Sequence, residues 1–226
     1  LELDEHEQHL IQAAAVLHDV GHAPYSHTLE PLMVHKLGID HMEWTGRIIK
    51  GEVDIEKCRG IRIRAPRVHQ VLEKWGISAE EVSKLLIGKH RHRYLGELLH
   101  SEVDVDQIDY LLRDSHYTGV ALGMVDADRL IRTLCIARSR LCILGKGVEA
   151  VEGMLTARGL MYSSVYYHHT VRSAEVMMSN AVDWAIRHDT EGKLDNIFLM
   201  NDAQLIERLW EMGGYAAEII SRIEYR

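Results

Sequence analysis

Apolar positions recur at helical spacing along most of the chain. Leu10, Ile11, Ala14, Leu17 and Val20 form a stripe that predicts a first helix running up to Gly21. Shorter stripes predict helices over 28–37, 41–50, 67–75 and 79–87, with Ser78 as the cap of the last. A longer pattern over 95–115 turns Leu98, Leu99, Val105, Ile108, Leu111 and Leu112 inward, and a short helix is expected over 126–133. The stretch 134–144 is different: two apolar pieces flank Arg138, Ser139 and Arg140, which predicts a small β-hairpin. Residues 148–186 read as one long helix with an interruption near 166–169, and 202–212 and 216–223 supply two more. The fold class expected is therefore mainly α, a helical core with a small β-hairpin and additional C-terminal helices. No internal repeat or linker interrupts it.

Composition narrows this picture. A chain of 226 residues buries a core as one domain, read here as a helical core over 1–134 and a hairpin-and-helix extension over 135–226 packed on it as the same structural unit. The chain is 46% hydrophobic and 27% charged, ordinary globular values that argue against disorder. No apolar run approaches the roughly 20 residues that span a bilayer. A formal net charge of −8 argues against a surface built to hold nucleic acid but leaves room for a local phosphate pocket. Cys58, Cys135 and Cys142 have no CxxC spacing, which suits a reducing, cytoplasmic setting and excludes a thiolate zinc site. The chain opens on Leu1 within an acidic stretch, so an upstream segment is expected.

Two places concentrate chemistry. The first is His18-Asp19-Val20-Gly21-His22-Ala23-Pro24-Tyr25-Ser26-His27. On a helix His18 and His22 share a face, whereas Asp19 is rotated from His18 by about 100°. Adjacent His and Asp converge on one ion only near a helix end, which Gly21 and Pro24 provide. Imidazole and carboxylate donors without sulfur suit a divalent Mn, Fe, Mg, Co or Zn ion with positions open to water and substrate. Alone, such a dipeptide is more often an ordinary helix-terminal pair. The second place is the run from Asp104 to Asp114, where Asp106, Asp109, Tyr110, Arg113 and Asp114 make a polar stripe beside Ile108, Leu111 and Leu112. By itself that stripe reads as a solvated face with ion pairs.

HDVGHAPYSH, then His41 with Glu43, then EVDVDQIDYLLRDSHYTGV, in this order, resemble the HD-domain deoxynucleoside triphosphate triphosphohydrolases and their bacterial and archaeal relatives. The similarity continues through residues 147–152 and 161–168. The resemblance implies that His18 and Asp19 are metal ligands and that Asp106 completes the site, with Asp104 as its competitor two residues earlier. It implies that His41, oriented by Glu30, is a catalytic histidine, and that His22 and His27 line the phosphate side of the pocket. Gln107, Tyr110, Asp114, Arg129 and Tyr166 match positions that contact nucleotide phosphate, sugar or base. The implied reaction is hydrolysis of a dNTP to deoxynucleoside and triphosphate. Another HD nucleotide phosphatase or phosphodiesterase activity, or a non-catalytic nucleotide sensor, stays open. A nucleotide effector and a homo-oligomer are further implied partners; neither a membrane nor nucleic acid is.

Departures from the family pattern bear on the substrate. These enzymes take a first ligand His from a helix tens of residues before the HD pair, and seventeen residues precede His18, so that ligand is expected upstream of Leu1. His6 and His9 read as surface histidines. Gln107 stands where a phosphate-binding Lys is usual, and His169 replaces another basic residue, which removes fixed positive charge. Arg59, Arg62, Arg64 and Arg67, and the cluster from His90 to Arg93, read as solvated basic groups. Met161, Met177 and Met178 read as core, and Cys135 and Cys142 as a thiol pair facing across the hairpin.

Overall fold

The computed structural model describes residues 2–53 and 65–225. Within them the chain is mainly helical, with one two-stranded antiparallel sheet. The helices are α1 (Glu5–Leu17), α2 (Glu30–Leu37), α3 (His41–Lys50), α4 (Val68–Lys74), α5 (Ala79–Leu86), α6 (Arg93–Leu99), α7 (Val105–Thr118), α8 (Ala127–Thr133), α9 (Val148–Met161), α10 (His169–His188), α11 (Asp202–Met212) and α12 (Gly214–Tyr225). Strands β1 (Leu134–Ala137) and β2 (Arg140–Ile143) form the expected hairpin. Arg138 and Ser139 form its two-residue turn, both at positive φ, as a tight hairpin turn requires. Cys135 pairs with Cys142 in the register, and both are free thiols. Cys58 and the basic positions Arg59, Arg62 and Arg64 lie outside the described residues.

Two helices depart from the sequence pattern. The single helix expected over 95–115 is two helices, α6 and α7, parted by residues 100–104. Asp104 makes the break. Its Oδ1 accepts from the Gln107 N–H at 2.8 Å, the N-cap bond of a new helix, and its Oδ2 accepts from the Ser101 N–H at 3.2 Å. The first helix stops at Leu17, three residues before the apolar stripe does, and Val20 stands half in solvent. Further along, α9 leads into a π-helical turn, Tyr162–Tyr166, before α10 begins at His169, so the expected interruption lies where the tyrosines cluster.

The chain divides into two compact units, each made of two stretches: Leu1–Leu17 with Leu72–His168, and His18–Val71 with His169–Arg226. In the first, Ile108 and Leu111 of α7 pack with Leu130 of α8 and with Met154 and Met161 of α9. In the second, Leu29 and Met33 pack with Met178, Val182 and Ala185 of α10, Leu205 and Leu209 of α11, and Ala216 and Ile220 of α12. Burying each Leu, Val, Ile or Met of this kind contributes roughly 1.5–3 kcal/mol. No helix among the described residues is long and apolar enough to cross a membrane.

Candidate functional site

The HD motif belongs to the second unit and is held in place by α3. The Gly21 N–H donates to Thr45 Oγ1 at 3.0 Å, and the Thr45 hydroxyl donates to the His18 carbonyl at 3.1 Å. Thr45 is fully buried. A Cβ on Gly21 would lie 2.4 Å from the Thr45 nitrogen and 2.6 Å from the His41 carbonyl oxygen, so only glycine allows this approach. The turn carrying His18 and Asp19 is thereby fixed to the helix that begins with His41.

The rest of the motif is a strained turn. Tyr25 and Ser26 are both left-handed, at φ 57° and 40°, a conformation that costs non-glycine residues roughly 1–2 kcal/mol each. The Tyr25 N–H donates to Asp202 Oδ1 at 2.9 Å, and the Ser179 hydroxyl donates to the Thr28 carbonyl at 3.1 Å. These bonds hold the short 3₁₀ turn Ser26–Thr28 that presents His27.

Four imidazoles and two carboxylates meet here. His22 and His41 are stacked, with ring centroids 4.2 Å apart and planes 16° from parallel, and His27 stands edge-on to His22 at 4.7 Å. Asp19 Oδ1 lies 3.3 Å from His18 Nε2 and 3.4 Å from His22 Nε2. Glu30, at the start of α2, binds His41 Nδ1 through Oε1 and approaches His27 Nδ1 at 3.4 Å through Oε2. The hydrogen bond from His22 chiefly, aided against burial by the fields of His18, His22 and His41, holds the Asp19 carboxyl below the usual range. Burial pushes Glu30 the other way, but its bond to His41 and the charge there prevail, so its carboxyl also titrates low.

One ligand atom each from Asp19, His22 and His41 lies within 4.8 Å of the others, a spacing that can surround one cation. His22 faces Asp19 through Nε2, and its Nδ1 is buried with no hydrogen-bond partner, so the ring keeps a donor nitrogen that the protein does not use. Of the positions named from the sequence, this unit therefore brings together His18, Asp19, His22, His27, Glu30 and His41. Spacing gave no sign of Thr45, whose role depends on a contact 24 residues away.

The first unit holds the remaining positions. Asp104 is buried and bonded to Ser101 and Gln107, so its carboxylate serves as a helix cap, whereas Asp106 sits in the first turn of α7, partly exposed. Burial pushes the Asp104 carboxyl up despite those backbone bonds. Gln107 is buried; its amide nitrogen donates to Ser101 O at 2.9 Å and to Asp104 Oδ2 at 3.0 Å, and its Oε1 has no hydrogen-bond partner. The Tyr166 hydroxyl donates to Asp114 Oδ2 at 2.7 Å. Tyr110 and Tyr166 pack edge-on at 6.1 Å, and Tyr162 joins them at 5.1 Å from Tyr166. Arg158 lies over the Tyr162 ring, 5.7 Å from its centroid. Burial, then the neighbouring Tyr162, pushes the Tyr110 hydroxyl up to about 12, and burial with the Asp114 bond raises Tyr166 as well. Arg129 is exposed, with Nε donating to the Lys146 carbonyl at 2.9 Å. Arg158 and Tyr162 were not singled out as site residues; a π turn, often found where function sits, is the local feature that gathers them.

Comparison with known proteins points to the same superfamily. Residues 125–226 match the family model described as HD associated region. An uncharacterized protein of Methanocaldococcus jannaschii is 36% identical over 219 residues, 94% of this chain and 42% of the relative. A deoxynucleoside triphosphate triphosphohydrolase SAMHD1 homolog from Dictyostelium discoideum is 28% identical over 187 residues, 80% of this chain and 34% of that protein. The crystal structure of a phosphohydrolase from Bacteroides thetaiotaomicron superposes with a TM-score of 0.73 at 26% identity, covering 99% of this chain and 58% of that one. The protein resembles the HD-domain phosphohydrolase superfamily in motif order, sequence and fold. It spans about two fifths of the length of the curated relatives matched first.

Proposed function

We propose that this chain forms part of a metal-dependent phosphohydrolase that acts on a nucleotide, with a dNTP as substrate and intact triphosphate as product. The observation that carries the reading is the cluster of Asp19, His22 and His41 donor atoms with His41 backed by Glu30. Asp19 and His18 would hold a divalent ion, and the His22 ring, which faces Asp19, fits the same role. A bound ion of this class polarises a phosphoryl oxygen and lowers the pKa of water.

The chain's own groups then have defined work. Glu30 accepts the Nδ1 proton of His41, which fixes the ring, and in the imidazolium form Nε2 carries the second proton, the one given to a leaving oxygen. His27, largely exposed beside them, offers a donor to phosphate. In the first unit, Asp114 supplies a carboxylate suited to a sugar hydroxyl, and Tyr110 and Tyr166 supply apolar walls with polar edges. Gln107 offers an acceptor rather than a cation, so this position supplies no fixed positive charge to a polyphosphate.

Metal content and products test the reading together. Wild-type protein loaded with Mn, Fe or Mg should retain metal, and Asp19→Ala should lose it. His41→Ala should keep metal and lose turnover if His41 is the proton donor, and should lose both if it is a ligand. The same metal measurement on Asp106→Ala tests the ligand role the resemblance gives that residue. Release of intact triphosphate from a dNTP supports the substrate; release of only orthophosphate or pyrophosphate points to a different HD phosphohydrolase. Nucleotide binding without any product would replace the enzyme with a sensor.

A further inference from the structure

A cavity of about 520 Å³ lies within the first unit between α6, the loops flanking it and the hairpin. That volume falls within the roughly 300–1,000 Å³ of small-ligand pockets. Val103, Leu134, Leu141 and Ile143 give it an apolar wall, while Arg93, Arg140 and three histidines, His90, His92 and His100, give it a polar one. None of these residues belongs to the metal cluster or to the tyrosine cluster.

Two arginines of this cavity converge on a single acid. Glu97 has a side chain only 12% exposed, and one of its oxygens, Oε1, takes the Nε of both Arg93, at 3.0 Å, and Arg140. Its Oε2 accepts the Leu141 N–H at 2.8 Å, which ties it to the hairpin backbone. Two guanidinium groups thus share one buried carboxylate beside an apolar wall, while Glu102, the other acid of the lining, has a side chain 93% exposed and lies 3.9 Å from Arg158. Both are engaged through Nε, and a guanidinium carries two further NH₂ groups able to grip an oxyanion.

Two histidines extend the donor set in a fixed way. The His92 backbone N–H donates to His90 Nδ1 at 3.1 Å, so the neutral His90 ring carries its proton on Nε2 and acts as a donor there. His92 Nδ1 lies 2.7 Å from Glu7 Oε1, and the Tyr94 hydroxyl donates to the same buried carboxylate, so His92 is locked with Nδ1 protonated. The cavity therefore offers two guanidinium groups and an imidazole N–H as donors, and an imidazole Nε2 as acceptor, opposite aliphatic side chains.

We propose that this cavity is a second ligand site, separate from the metal cluster, which binds a phosphate monoester carried on an apolar ring. The arginines and His90 take the oxyanion, and Leu134, Leu141 and Ile143 pack against the ring. The proposal does not rest on the phosphohydrolase reading. It names a chemistry shared by aryl phosphates and mononucleotides, and the two are separated by the choice of probe.

Calorimetric titration of the full chain with phenyl phosphate, inorganic phosphate and a nucleoside monophosphate tests it, performed without divalent metal and in an Asp19→Ala background so that the metal cluster does not contribute. Phenyl phosphate should bind at least tenfold more tightly than inorganic phosphate, and Arg93→Gln and Arg140→Gln should each weaken it by about tenfold. Tighter binding of the nucleoside monophosphate identifies a nucleotide as the source of the phosphate; tighter binding of phenyl phosphate identifies a simpler aryl ester. A filling variant guards against misreading a general surface charge effect. A Cβ at Gly96, which lines the cavity, meets only Leu85 O, at 3.6 Å, so Gly96→Met can fold and should abolish binding with both arginines intact. Equal affinity for inorganic and phenyl phosphate, or binding unchanged by Gly96→Met or by both arginine substitutions, overturns the proposal.

Discussion

Glu30 holds the Nδ1 edge of His41 across eleven residues of chain, through a hydrogen bond between the first residue of α2 and the first residue of α3. Neither residue is buried completely, with side chains 24% and 22% exposed, so the pair meets solvent while its geometry is fixed. Replacing Glu30 with Gln keeps the shape and removes the negative charge. Turnover should fall by about 10–100-fold, the usual cost of losing an orienting carboxylate behind a functional histidine. Metal content, measured by elemental analysis, should be unchanged, which separates this role from that of a ligand.

Gly21 is constrained by backbone, not by a flexible side chain, because its virtual Cβ meets the Thr45 nitrogen and the His41 carbonyl oxygen. Gly21→Ala should destabilise the protein by about 1–3 kcal/mol, in the range of other overpacked sites. A urea midpoint lowered without a change in slope would show it. Thr45→Val, which removes the hydroxyl bridging Gly21 and His18, should cost about 1–3 kcal/mol for the groups left unpaired.

Asp104 gives an unusual pH signature. Its carboxyl is pushed up by burial, so the folded state holds a proton more tightly than the unfolded chain does. Between the ordinary aspartate pKa and the raised value, the native state binds more protons, and the stability from this residue falls as pH rises through that window. Asp104→Asn removes the titration. The stability difference between wild type and this variant should therefore favour wild type more at low pH than at neutral pH. A difference that grows as pH rises from 4 to 7 would contradict the sign.

Tyr166 reaches Asp114 from the π turn, and Tyr166→Phe deletes that bond while keeping the ring against Tyr110 and Tyr162. Stability should drop by only about 0.5–1.5 kcal/mol, since Asp114 is partly exposed and can turn to water. If Asp114 and Tyr166 face a nucleotide sugar, KM should rise while kcat changes little. Equal losses in kcat and kcat/KM would instead place the pair nearer the reacting phosphate.

Periodicity was sufficient for most of the helices, because an apolar stripe at i, i+3 and i+4 is a local property and each helix satisfies its own backbone bonds. The hairpin was legible for a similar reason: two apolar runs around a short polar turn admit few alternatives. The split of 95–115 was not, since the pattern of Leu98, Leu99, Val105 and Ile108 continues through the break. What ends α6 and starts α7 is the bonding of one buried carboxylate, that of Asp104, and a hydrophobic stripe carries no record of it.

The candidate site divides along the same line. The sequence by itself singled out the candidate residues: His18 and Asp19 stand together, His22 and His27 follow, and Asp106 and Asp114 share a helix with Tyr110. Residue type and order are enough for that only when the motifs are taken together, since each alone has an ordinary structural use. Only the tertiary structure decided what each of them touches. It stacked His22 on His41, placed Glu30 behind His41, spent Asp104 as a cap and turned the amide of Gln107 inward. Each of these outcomes depends on a close approach between segments, Gly21 against Thr45 above all, and the energy of such contacts resides in packing that no single stretch of sequence specifies.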